Sequence, residues 1–331
     1  MVAGQKLRPF VILCHLIAAA IVVLAPTNAH AQQLPNGSIR ILVGFAPGGT
    51  TDIAARLIAA EISAAAGQTI VVENKPGASG RIAAEALKNA APDGTTLMLV
   101  PIVVPVIAPL VWKDLSYDPA KDFAPITHVA GYQYAFFVGL DHPARTMQEL
   151  VAWMKAHPKQ ANFGTPGAGS LPHFLGMMIG KAAGIDMVHV AYKGIAPLAT
   201  DLMGGRIPAA VDALSDVLEL HRAGNLRIIA TSGAKRSPLL PNVPTFKEQG
   251  FPAIEASGWI AMYAPAKTPK PVIDQWSGAI VRALQTPTIR QRLIELGYEP
   301  TGTTPEELAA IMAADTARWA PIIKASGFSA D

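Results

Sequence analysis

The sequence predicts an α/β fold, and three observations predict it. Short runs rich in β-branched residues alternate with longer runs whose apolar residues recur at helical spacing. Glycine-containing turns stand between them. The composition, 50% hydrophobic and 15% charged over 331 residues, suffices to fill two sizeable cores without cross-links. Strands separated by helices of this length imply a parallel sheet with crossover helices, and the length suggests about two domains.

Residues 1–31 read as an export signal. Lys6 and Arg8 precede the apolar run 11–24, and Ala29-His30-Ala31 is a small-x-small cleavage pattern. The run falls short of the roughly 20 apolar residues that span a bilayer. Export places the mature chain in the periplasm. Cys14, the only cysteine, leaves with the signal, so the exported chain has no disulfide or thiolate chemistry. The segment carries two basic residues of an overall +3 and no acidic ones, which leaves the remainder close to neutral. Nucleic acid calls for a basic face and is disfavoured as a partner.

Along the first half, 39–43 reads as a strand, 53–66 as a helix ending at Gly67, 69–72 as a strand, 82–90 as a helix and 95–100 as a strand. A second series follows, with strands at 133–139, 161–164, 187–190 and 209–211 and helices at 147–156, 170–183 and 196–203. The run 257–264 is a buried strand. Helices at 271–284, 287–296 and 305–326 follow, each with proline near its start, where the missing N–H costs nothing.

The stretch FAPGGTTD, residues 45–52, joins the first strand to the first helix. Gly48 and Gly49 turn the backbone tightly, and Thr50 or Thr51 caps the helix. The helix N-terminus then offers amides and a positive dipole end to an anion. No Gly-Lys-Ser/Thr and no G-x-G-x-x-G follows, so a nucleotide site is not indicated. FGTPGAGSLPHFLG, residues 163–176, repeats the design: Gly167, Gly169 and Ser170 supply donors, and His173 follows in the helix. AYKGIAP (191–197) and VDALSD (211–216) are a third and a fourth such turn. Alone, each reads equally as a plain strand-to-helix connection. Together they stand at the carboxyl ends of strands, where open α/β sheets bind ligands.

Asp212 is placed to hold a ligand hydroxyl or ammonium, or to cap the turn that follows it. Tyr134, Phe136 and Trp259 are wall or core residues. No nucleophile elbow, zinc signature, C-x-x-C pair or cofactor motif occurs, so neither metal nor cofactor is indicated. A secreted serine hydrolase using Ser170 or Ser79 with His173 is the competing reading, weakened by the lack of an orienting acid.

Six segments, including residues 39–80, AAPDGTTLML, GTPGAGSLPHFLG and VPTFKEQGFP, together resemble the Bug-type periplasmic solute receptors of tripartite tricarboxylate transporters over nearly the whole mature chain. The resemblance implies a type II periplasmic binding protein fold, with lobe 1 at 32–130 plus 257–331, lobe 2 at 131–256 and strands crossing between them. It implies that the turn at Phe45, Pro47, Gly48, Gly49, Thr50 and Thr51 and the turn at Thr165, Gly167, Gly169 and Ser170 grip a small carboxylate, a di- or tricarboxylate or an aromatic or amino-acid-like acid. Tyr192, Gly194 and Asp212 match neighbouring cleft positions. It also implies delivery to integral membrane permease subunits, or to a sensor. The loop after Asn74 is usually Gly-Ala-Gly-Gly in these receptors and here is Gly77-Ala78-Ser79-Gly80, which puts a hydroxyl at Ser79 beside the pocket.

Overall fold

The computed structural model describes Met1, residues 34–35 and residues 37–329, and the expected export signal lies outside them. Strand β1, Ile39–Val43, is buried at every position but Arg40. Helix α1, Thr50–Ala66, follows it and ends where Gly67, at φ 66°, takes the left-handed C-cap and donates to Ser63 O. Strand β2, Ile70–Asn74, and strand β3, Thr96–Pro101, flank β1 in parallel, with helix α2, Arg81–Lys88, between them in sequence.

Strand β4, Phe123–Gly139, is the spine of the molecule. Helix α3, Met147–Ala156, leads to strand β5, Asn162–Thr165. Helix α4, Leu171–Ala183, precedes strand β6, Val188–Ala191, and helix α5, Ile195–Met203, precedes strand β7, Ala209–Ala213. Helix α6, Leu214–Arg222, strand β8, Leu226–Thr231, and strand β9, Ser257–Pro265, come next. Helices α7, Lys270–Gln285, and α8, Pro287–Glu295, the two-residue strand β10, Glu299–Pro300, and helix α9, Pro305–Ser326, complete the described chain.

The strands lie in the order β2-β1-β3-β9-β4-β7-β5-β6. Parallel trios therefore sit at the two ends, β2-β1-β3 and β7-β5-β6, as expected from helix crossovers. The centre differs from the parallel sheet that the alternation predicts: β9 runs antiparallel to both β3 and β4, and β4 runs antiparallel to β7 and β8. The portion of β4 from Phe123 to Gln133 pairs with β9, and Tyr134 onward pairs with β7 and β8. One strand thus serves both halves of the sheet. Its first half was not legible as a strand, since register shifts between Pro125 and Thr127 and between His128 and Ala130 break the period-2 pattern.

The main core runs through both halves and includes the fully buried Trp276, Trp319, Phe136 and Phe163. A smaller core gathers Ala135 and Phe137 of β4 with Leu198 and Leu202 of α5 and Leu214, Val217 and Leu218 of α6. Each large apolar side chain contributes about 1.5–3 kcal/mol on burial. The helices that begin at the strand-end turns are thereby fixed to the sheet, and the turns with them.

Candidate functional site

The first turn is built around Asp52. Its carboxylate, 2% exposed, accepts from the Gly48 amide at 2.9 Å, from Arg56 Nε at 2.9 Å and from Asn74 Nδ2 at 2.8 Å. Asn74 Nδ2 also donates to Phe45 O at 3.1 Å, and Arg56 Nη2 donates to Asn74 Oδ1 at 3.0 Å. Burial, the largest influence on Asp52, pushes its pKa up. The hydrogen bonds from Arg56, Gly48 and Asn74 outweigh it and hold the carboxyl below its ordinary value. The loop of Ser79 closes on the same turn: a Cβ on Gly44 would stand 2.6 Å from Gly80 Cα, and one on Gly80 would meet Phe45 at 3.4 Å. Ala78 and Ser79 are the described non-glycine residues with positive φ, 47° and 55°, and Ser79 is exposed.

Two expectations for this turn need correction. Neither Thr50 nor Thr51 caps α1; Gly49 is the N-cap, and no side chain bonds to the helix end. Thr50 Oγ1 instead donates to Asp216 Oδ1 at 3.0 Å, 166 residues away at the start of α6. The Gly48 amide is also taken, by Asp52. What remains for an anion is the helix head itself, because the first intrahelical bond runs from Ile53 N to Gly49 O and the amides of Thr50, Thr51 and Asp52 precede it.

The second turn is fixed by carbonyl and imidazole contacts. Gly167 O accepts from Thr165 Oγ1 at 3.0 Å and from Ser170 Oγ at 2.7 Å. The Thr165 hydroxyl also lies 2.7 Å from His189 Nε2, tying β5 to β6 beside the turn. His173 Nδ1 accepts from the Gly169 amide at 3.2 Å, and its ring stacks on His189 with centroids 3.7 Å apart. Burial lowers both histidines to about 4, so both are neutral. Through Nδ1 His173 supports the turn and occupies the Gly169 amide. Ser170 and His173 are not directed at each other, since the serine donates to Gly167 and Nδ1 of the histidine is used by Gly169.

Groups from the other half of the sheet press on this second turn. A Cβ on Gly169, whose φ is 68°, would stand 3.0 Å from both Phe328 and Val111, and Phe328 meets the His173 ring edge-on at 4.9 Å. Gly194, at φ 95°, donates to Pro166 O at 3.1 Å, which brings the third turn beside the second. Tyr192 is turned away to Asp201, 3.0 Å from its hydroxyl, and burial with this bond pushes its pKa up to about 12. Tyr134 and Phe136 are buried, the latter packed edge-on against Phe246, and Trp259 is tied to Asp315 at 2.7 Å.

The family model described as Tripartite tricarboxylate transporter family receptor matches residues 54–328. The chain belongs to this receptor family. A UPF0065 protein of Bordetella bronchiseptica is 35% identical over 297 residues, covering 90% of this chain and 88% of its own. Among solved structures, R. palustris Rpa4515 with adipate superposes at a TM-score of 0.83 with 32% identity, covering 88% of this chain and 98% of its own. The periplasmic binding protein BugD gives 0.81 and 31%, covering 89% and 99%. MatC from Rhodopseudomonas palustris with bound malate gives 0.78 and 29%, covering 86% and 98%. The receptor is therefore a periplasmic solute-binding protein of the Bug type, with the two-halved α/β fold of its relatives.

The receptor also holds site groups that its sequence did not single out. Asn74 and Arg56, which lock Asp52, become neighbours only through the parallel register that sets Val43 opposite Asn74. Asp216 and Tyr298 meet Thr50 from distant parts of the chain. The nearest signal was the VDALSD turn, which contains Asp216 without showing what it faces.

Proposed function

We propose that this receptor captures a small organic carboxylate in a cleft between two lobes, residues 32–130 with 257–331 and residues 131–256. It then delivers the carboxylate to the integral membrane permease subunits of a tripartite tricarboxylate-type transporter. Residues 1–31 act as the export signal. The observation that carries the reading is the pair of glycine turns, each joining a buried strand to a helix and each in contact with the other half of the chain, Thr50 with Asp216 and Gly169 with Phe328 and Val111.

Amides at the head of α1, around Thr50 and Thr51, and at the second turn, around Gly167 and Ser170, supply partial positive charge without a lysine or arginine. Phe45, Pro47, Gly48 and Gly49 shape the first lip, with Ser79 beside them. Thr165, Gly169 and His173 hold the second, and Tyr192, Gly194 and Asp212 border it. Such a site discriminates by shape and amide geometry. The adipate and malate held by two structural neighbours support a carboxylate ligand. Differential contact with both lobes makes the closed form favourable only when the cleft is filled.

A thermal-shift panel of mono-, di- and tricarboxylates, sugars and cations tests the reading. One or a few carboxylates raise the melting temperature, because a ligand bound only by the native state stabilises it. A response confined to sugars or cations would refute it.

A further inference from the structure

The second turn meets the other half of the chain at one glycine. A Cβ on Gly169 would stand 3.0 Å from Phe328, 3.0 Å from Val111 and 3.5 Å from Trp112, so three side chains fill the space that the glycine leaves open. All three belong to segments assigned above to lobe 1, Val111 and Trp112 after β3 and Phe328 after α9, whereas Gly169 belongs to lobe 2. The Gly169 amide is held by His173 Nδ1 at 3.2 Å. The Phe328 ring meets His173 edge-on at 4.9 Å and Phe174 at 5.9 Å.

Local structure fixes both aromatic side chains. Gly327, at φ 69°, ends α9 in the left-handed region, and Ser326 Oγ accepts from the Phe328 amide at 3.1 Å, which sets the ring against α4. The Arg81 guanidinium lies over the Trp112 ring, 4.4 Å from its centroid, and Arg81 Nε donates to Ala78 O at 3.0 Å. Trp112 therefore touches the second turn directly and, through Arg81, the Ser79 loop that closes on the first. Both rings are half-buried, and separating them from Gly169 and α4 returns apolar surface to water.

We propose that Trp112 and Phe328 form a latch on Gly169 that favours the closed form of the receptor and tunes its affinity without touching the ligand. The inference rests on the two-lobe reading. A rotation about β4 and β9 that widens the cleft carries the second turn, one of its lips, away from lobe 1 and breaks the contact. The latch therefore stabilises the closed form alone. Because it adds to the closed population and not to any ligand contact, it changes the affinity for every ligand by one common factor. Trp112 and Phe328 are positioning residues in this scheme.

Small-angle X-ray scattering of the purified receptor without added ligand tests the latch, using Trp112→Leu and Phe328→Leu, which keep an apolar side chain and wild-type circular dichroism. Both variants have a larger radius of gyration than wild type. Calorimetry at pH 7.5 with adipate and malate follows: for each acid that wild type binds, both variants raise Kd by the same factor, about three- to tenfold. A radius unchanged or smaller in either variant overturns the latch, whether or not either acid binds. A loss of affinity confined to one acid overturns it too, because the side chains would then belong to the pocket. Failure of every carboxylate in the thermal-shift panel, beside an enlarged radius in both variants, defeats the carboxylate reading and leaves the latch standing.

Discussion

Asp52 shows how one side chain fixes the geometry of a candidate binding turn from within. It is buried, accepts three hydrogen bonds and ties the glycine turn to β2 and α1 at once. Breaking a charged, buried network of this kind costs on the order of 2–4 kcal/mol, so Asp52→Ala lowers the urea-unfolding free energy at pH 7 by about that amount. The pH dependence has a fixed sign. The folded carboxyl titrates below its ordinary value of 3.8, so its stabilisation is complete above that value and is lost as pH falls through the folded pKa. The stability gap between wild type and Asp52→Asn therefore narrows between pH 4 and pH 2, as urea unfolding across that range measures. A gap that stays constant would show that Asp52 is not held ionised by its partners.

At the scale of elements, the close approach of β1 to the Ser79 loop sets the shape of the first lip. A methyl group on Gly44 would meet backbone, 2.6 Å from Gly80 Cα and 3.1 Å from Gly80 O, which no rotamer change relieves. Gly44→Ala destabilises the chain by about 1–3 kcal/mol, the usual cost of overpacking, and weakens carboxylate binding by displacing the turn. Unchanged affinity in calorimetry would show that the Ser79 loop plays no part in shaping the site. Strand and helix periodicity made most elements legible to within a few residues, because α3 carries an apolar stripe and helices such as α9 a proline-marked start. Thr146 caps α3, and Thr304 with Glu307 forms a capping box on α9. The bulged first half of β4 and the short strand β8 escaped, the former because its pattern is broken and the latter because its six residues carry no alternation. The positions of both glycine turns were readable from spacing. Their wiring was not, since Asp52 to Asn74, Thr50 to Asp216 and His173 to His189 depend on register and on packing between distant segments.

In the whole molecule, β4 joins the two halves and each half brings one glycine-rich helix start to the junction. Side chains from one half already lean on the other: Thr50 reaches Asp216, and Phe328 packs beneath the second turn. The proposed capture by closure would use small rotations about β4 and β9 to change what the two turns present to a ligand. Under the proposed reading the ligand's charge rests on main-chain amides, with arginine and lysine kept out of the recognition. A crystal structure of the receptor with whichever carboxylate raises its melting temperature most tests this directly. The expected result is carboxylate oxygens within hydrogen-bond distance of amides at residues 50–51 and at Gly167, Ala168 or Ser170, with both halves touching one ligand. A carboxylate paired with a lysine or arginine side chain, or seated away from both turns, would contradict it.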